Sequence, residues 1–221
     1  IARRQRQMCI RDSNGTADGK FQSSDVLAAS DLAMVVMIFA SAMMVGGDLG
    51  KGTVAWSYLS SNRRVGIVLS QFVVILVSLL LAATLGIAVG TLLIEALGGD
   101  IDFTSFHQWP DCNRVVFAYL EWTGFSLLAM GLAYLLRSGT FAAMILVVEF
   151  FVLETALMAF DASWAEALLS CLPFANMQTL VLGSDLALDH SRGVSALILG
   201  VTLAVCVGGA CVVSRRRSVA K

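Results

Sequence analysis

Long apolar runs separated by short polar gaps organise this chain. Crossing a ~30 Å hydrocarbon core takes about 20 apolar residues in a helix. Five runs meet or approach that length: 32–47, 65–97, 115–136, 139–160 and 194–213. The pattern predicts an all-α, polytopic membrane protein with five transmembrane helices. The first run is short, with Asp25 and Asp31 at its mouth and Val26–Ala29 available to add a turn. The second is longer than a span needs, so it must tilt, project from the bilayer or break near Gly86 or Gly90. Between Phe160 and Val194 lies a mixed segment that is too polar, and too broken at Pro173, for a clean span. No internal repeat, low-complexity tract or soluble domain is visible.

Composition agrees with the pattern. The chain is 57% hydrophobic and 14% charged, where a soluble domain is about a quarter charged. Glycine is frequent (19) and proline scarce (2), which suits helices packed closely in lipid. The net charge of −1 says little, because the charges collect in the gaps.

Their distribution sets an orientation. Lys51, Arg63 and Arg64 mark one gap, Arg137 the next but one, and Arg215, Arg216, Arg217 and Lys221 the C-terminal tail. Alternate gaps are acidic: Asp100, Asp102 and Asp111 in one, Asp161, Glu166, Asp185 and Asp189 in the other, with Arg114 and Arg192 as exceptions. Basic residues stay on the cytoplasmic side. The tail 214–221 is therefore expected in the cytoplasm, and residues 1–31 outside it. Ile1–Ser13 lacks the apolar region of a signal peptide. Its run Arg6-Gln-Met-Cys-Ile-Arg-Asp-Ser13 reads as translated sequencing-adapter DNA, or else as a natural basic tail.

The first basic gap carries the most information. Asp48-Leu-Gly-Lys-Gly-Thr53 is followed by Ser57-Tyr-Leu-Ser-Ser-Asn-Arg-Arg64. Gly46-Gly-Asp-Leu-Gly-Lys-Gly-Thr53 looks superficially like a phosphate loop, but its spacing is wrong, since three residues separate Gly46 from Gly50 and Gly52 intervenes before Thr53. An apolar run precedes it, where a phosphate loop follows a strand. Physically, Asp48 and Lys51 leave the lipid at a helix end, and Gly50 and Gly52 permit a sharp turn. Val54, Trp56, Tyr58 and Leu59 can then form a short amphipathic helix at headgroup level. Such a helix serves either as a docking element for a partner or as an anchor whose basic residues face lipid phosphates.

The order Asp-x-x-x-Gly-Thr, polar turn, Arg, membrane helix resembles the ABC-2 family of ABC-transporter permeases, and the likeness runs from about Leu32 to Arg217. The resemblance implies a six-span domain with a cytoplasmic N-terminus, of which the five visible spans would be the last five. It also implies that Asp48, Lys51, Gly52, Thr53, Trp56, Arg63 and Arg64 form the loop that touches a cytoplasmic ATPase subunit. A second permease subunit, the same or different, would complete the transporter. It further implies short re-entrant or interfacial helices before the last span; the residues by themselves fit an amphipathic outer loop equally well. The chain departs from the family where Asp48 replaces the usual Glu, where Ser60–Arg64 lacks a Pro, and where Gln71 stands at a frequent Lys position.

Three carboxyl groups fall within the runs. Glu149 lies about ten residues into its span, Glu154 further out, and Glu121 in the outer part of the preceding span. Acids at membrane depth are costly and mark either a pathway or a bond between helices. Gly86-x-x-x-Gly90 reads as a close helix contact. Two lone histidines, His107 and His190, make no metal site, and five cysteines without a Cys-x-x-Cys pair make no zinc or redox motif. A Cys112–Cys171 disulfide is conceivable across the outer side.

The functional expectation is a permease subunit of an ATP-driven ABC-2-type exporter in the cell membrane. It would have no catalytic site, cofactor or metal of its own, and no nucleic-acid partner. The alternative is an ion- or proton-coupled secondary transporter using Glu149 and Glu154. A third reading is a membrane assembly factor that transports nothing.

Overall fold

The computed structural model describes residues 20–22, 30–50, 64–96, 100–102, 111–160, 162–182 and 191–216. Five of its helices are long and apolar enough to cross a membrane, and the protein is a multi-pass α-helical membrane protein. The expectations for 1–19, for Lys51, Gly52, Thr53, Trp56 and Arg63, and for Arg217 and Lys221 fall outside the described residues.

The spans are α1 (Ser30–Gly50), α2 (Arg64–Ala96), α3 (Asp111–Leu136), a composite fourth rod and α8 (Arg192–Arg216). The fourth rod is α4 (Gly139–Val148), a π-helical stretch (Glu149–Glu154) and α5 (Thr155–Ala159). Two short helices, α6 (Ser163–Leu169) and α7 (Pro173–Leu182), precede the last span. A three-residue parallel ribbon, β1 (Lys20–Gln22) with β2 (Asp100–Asp102), pairs Lys20 with Asp100 and Phe21 with Ile101. It ties the segment before α1 to the connection between α2 and α3, so those two segments share one end of the bundle. Nothing in the apolar pattern announces it.

One boundary extends the sequence reading, and one of its open alternatives is resolved. The helix α1 continues past Gly47 to Gly50, so Asp48 sits inside its last turn. The 33-residue α2 runs unbroken through Gly86 and Gly90. At 1.5 Å per residue it is about 50 Å long, so it tilts or projects. Among the described residues Gly86 and Gly90 make no close helix contact, because a Cβ at either would meet nothing within 4 Å.

The helix α3 is the core of the bundle: 56% of its apolar window is buried, against 17% for α2 and 11% for α8. Against it α1 lays Met34, Met37, Ile38, Ser41, Ala42 and Val45, all buried. That is the i, i+3, i+4, i+7 stripe of one helical face. Lipid tails are as apolar as leucine, so close packing rather than water exclusion holds such helices together. The tightest approach joins α1 to α4. A Cβ on Gly46 would lie 2.4 Å from the backbone nitrogen of Gly139, and one on Gly139 would lie 2.3 Å from the carbonyl oxygen of Ala42. A second approach presses Gly131 of α3 onto Cys206 of α8.

The tight turn between α3 and α4 holds as expected from Arg137-Ser138. Arg137 takes a left-handed φ of 56°, and Ser138 caps α4 by accepting from the Phe141 N–H at 3.4 Å.

The mixed segment is neither a span nor a loose loop. The helix α7 buries Phe174, Ala175, Asn176, Met177 and Thr179. The Phe174 ring sits 4.4 Å from that of Phe150 and 6.2 Å from that of Phe117. The Met177 methyl fills the space left by Gly124 in α3. The helix α6 closes a smaller cluster of Leu157, Ala165, Leu169 and Ala175 while leaving Trp164 and Leu168 exposed. Cys171, in the turn between them, is a free and exposed thiol; the side chain of Cys112, its expected partner, lies outside the described residues.

Candidate functional site

Two polar sites interrupt the apolar bundle. The first lies where α1 ends and α2 begins, either side of the basic gap. Asp48 occupies the last turn of α1, and Gln71 lies two turns into α2. The Gln71 amide Nε2 donates to Asp48 Oδ2 at 2.6 Å, and the Tyr134 hydroxyl in the last turn of α3 donates to Gln71 Oε1. The Tyr134 ring lies 5.6 Å from that of Phe72, which fixes the hydroxyl's direction. Three spans are thereby tied at one end by a chain of hydrogen bonds among buried or half-buried groups. Arg64 starts α2 and is half-buried. Removing the tyrosine hydroxyl leaves the Gln71 carbonyl without this donor, which costs about 1–2 kcal/mol. Tyr134→Phe is therefore expected to lower the thermal midpoint in detergent while leaving the helix content unchanged. An unchanged midpoint would remove the network's structural role.

The second site lies toward the opposite end, where the fourth span meets α7. Pro173 opens α7 in the position where its missing N–H does no harm. The next two N–H groups have no helical acceptor of their own. Glu154 supplies one: its Oε1 accepts from Phe174 N at 3.0 Å and its Oε2 from Ala175 N at 2.9 Å. Glu154 is 1% exposed, so it acts as a buried cap donated by a different helix, and the positive end of the helix dipole faces it. Asn176 braces the turn before it, donating from Nδ2 to the carbonyls of Ser170 (2.8 Å) and Leu172 (2.7 Å).

Glu149 stands beside Glu154. The π-helical stretch closes its turn with i→i+5 bonding, and Thr155 Oγ1 reaches the Phe150 carbonyl five residues back at 3.4 Å. Residues five apart therefore stack on one side. Neither oxygen of Glu149 has a hydrogen-bond partner among the described residues, and Glu154 closes the same π-helical stretch five positions on.

Glu121 is not brought into this pair. It is fully buried in α3, and neither of its oxygens has a hydrogen-bond partner among the described residues. Sequence reasoning thus named Asp48, Glu149 and Glu154 but missed their partners Gln71, Tyr134 and the α7 N-terminus. Pro173 followed by an apolar, Asn- and Thr-bearing stretch was the available sign of a helix start. Among the described residues no group of three or more His, Cys, Asp or Glu is placed to hold a metal ion. No protein-family model, curated protein or solved structure matches this chain.

Proposed function

We propose that this chain is the permease subunit of an ATP-driven exporter of the ABC-2 type. It would lie in the cell membrane with its C-terminus in the cytoplasm, working as a pair with a second permease subunit and two ATPase subunits. The observation that carries this reading is the Asp48–Gln71–Tyr134 chain. A loop that receives force from an ATPase must pass it to the spans. The two helices that flank residues 51–63 are tied to each other and to the central helix within two turns of that loop. Gln71, at the position where the family often has Lys, donates to Asp48 across the two helices. ATP-driven closure of the ATPases would then shift α1, α2 and α3 together.

The test is co-purification of the permease with the ATPase encoded beside it, and substrate-independent ATP turnover in the reconstituted complex. Asp48→Ala, Arg63→Ala and Arg64→Ala together are expected to weaken assembly or ATP turnover at least tenfold. Tyr134→Phe, which loosens the network without touching the loop's charges, is the control for mere destabilisation. A complex that assembles and turns over normally with all three alanines removes the coupling role.

A second reading has its own observation: Glu149 and Glu154 side by side in the π-helical stretch suit a proton- or ion-coupled carrier. Transport that collapses on adding a protonophore, in vesicles with ATP and no ATPase partner, would favour it over the exporter.

A further inference from the structure

We propose that Glu121 and the phenylalanine rings around it form a binding site for an alkylated ammonium ion, with the carboxylate as counter-charge and the rings as an apolar wall. The site does not depend on the exporter reading, because binding to the chain alone tests it.

An imbalance of charge comes first. Lys, Arg and His are absent from 32–47, 65–97, 115–136, 139–160, 163–182 and 194–213, yet Glu121 lies inside the third of these runs. Its side chain is 0% exposed, and neither of its oxygens has a hydrogen-bond partner among the described residues. Burying a polar group without a partner is unfavourable, and far more so when the group is charged. At membrane depth such a residue marks a site by default. Glu154, the other fully buried acid of the described spans, is taken up by two N–H groups of α7. Glu121 has no such account.

The rings give the site its shape. Phe117 and Phe125 stand four residues before and four after Glu121, so all three share one face of α3. At 1.5 Å per residue the two phenylalanines are about 12 Å apart along the helix. Other rings close the circuit between them. The centroid of Phe117 lies 6.2 Å from that of Phe174, Phe174 lies 4.4 Å from Phe150, and Phe150 lies 6.2 Å from Phe125. Four rings from α3, α7 and the π-helical stretch thus make one chain of contacts, and Glu121 occupies the gap between its two ends. Phe125, Phe150 and Phe174 are buried, and Phe117 is half-buried.

This chemistry selects its ligand. The face of a phenyl ring is negative, and a cation within about 6 Å of its centroid is attracted, most strongly where water is excluded. A hard metal ion asks instead for six or more oxygen ligands, and among the described residues no group of three or more His, Cys, Asp or Glu is placed to hold one. An alkylated ammonium ion is weakly hydrated, meets the rings with its methyl groups and needs one carboxylate to balance it. That ion reaches a membrane protein either free in solution or as the headgroup of a choline lipid.

The experiment is equilibrium binding of radiolabelled tetramethylammonium to the protein in phosphatidylglycerol nanodiscs, with empty nanodiscs as the blank. Saturable binding is expected. Choline is expected to displace the label, and dimethylbutanol, the uncharged carbon isostere of choline, is expected not to. Glu121→Gln keeps the shape without the charge and is expected to weaken binding about tenfold or more. Phe150→Leu keeps an apolar side chain without the ring and is expected to weaken it by about tenfold. Phosphatidylcholine nanodiscs separate the two sources: exclusion of the label there identifies the lipid headgroup, equal binding identifies the free ion, and both support the site. Absence of saturable binding in phosphatidylglycerol, displacement by the alcohol as readily as by choline, or unchanged binding in Glu121→Gln would overturn the proposal. The competition uses the unaltered protein, so it decides the matter even where a variant does not fold.

Discussion

Gly139→Leu is expected to leave little folded protein. The Cβ of any side chain at this position would sit 2.3 Å from the carbonyl oxygen of Ala42, 2.8 Å from its carbonyl carbon and 3.0 Å from the Cα of Met43. These are backbone atoms of α1, which cannot swing aside as a side-chain tip can. The first span must move away from the fourth, and Ala42 with Gly46 on one side and Ala142 with Ala143 on the other then lose their contacts. Overpacking a core costs about 1–3 kcal/mol. Here the cost is expected at or above the top of that range, because close approach of small residues is itself what holds helices together in lipid. Thermal unfolding and size-exclusion in mild detergent read the result, with Gly139→Ala intermediate. Gly86→Leu and Gly90→Leu are the matched controls: each adds the same side chain where nothing lies within 4 Å, and each is expected to leave the monomer's midpoint unchanged. A Gly139→Leu protein as stable as these controls would mean that α1 and α4 do not pack as described.

The same three glycines show what the chain makes legible. Apolar length gives the spans to within a few residues, because a helix in lipid must bury its own backbone hydrogen bonds and so must be continuous across the core. Which glycine meets a neighbour is a property of helix rotation, and that is set by packing partners far away in sequence. The Gly86-x-x-x-Gly90 spacing meets no neighbour among the described residues, while Gly46 and Gly139, 93 positions apart, carry a contact. The polar groups divide in the same way. Asp48 stood out as a charge at the end of an apolar run and Gln71 as a departure from the family pattern, yet nothing in the sequence joins the two to each other or to Tyr134. Glu149 and Glu154 stood out as acids at membrane depth. Their spacing of five reads as two different faces of an α-helix, and only the π-helical turn unites them. The β1–β2 ribbon had no signal because three-residue strands carry no usable alternation.

Glu154→Ala is expected to fray the start of α7 and open its seam with the fourth span while the spans stay folded. The wild-type side chain accepts from two buried N–H groups at 3.0 and 2.9 Å. Its loss leaves both without an acceptor, in a place where Phe174 and Ala175 are buried and water cannot substitute. Leaving a buried donor without its acceptor costs about 1–3 kcal/mol. Two such donors give a local penalty of roughly 2–6 kcal/mol. The α6–α7 hairpin meets the fourth span through this cap, the Phe150–Phe174 ring contact at 4.4 Å and the small Leu157 cluster, while α7 also packs on α3 and α8. The penalty is therefore expected to open the seam with the fourth span and leave the packing on α3 and α8 in place. Limited proteolysis and labelling of the exposed thiol Cys171 should both rise sharply between 162 and 182, with helices α1 to α4 still protected. Glu154→Gln keeps one acceptor oxygen and is expected to fall between wild type and alanine. If alanine at 154 unfolds all five spans together, or changes nothing in the hairpin, the carboxyl is not the cap that seats α7, because only a cap localises its loss to the helix it starts.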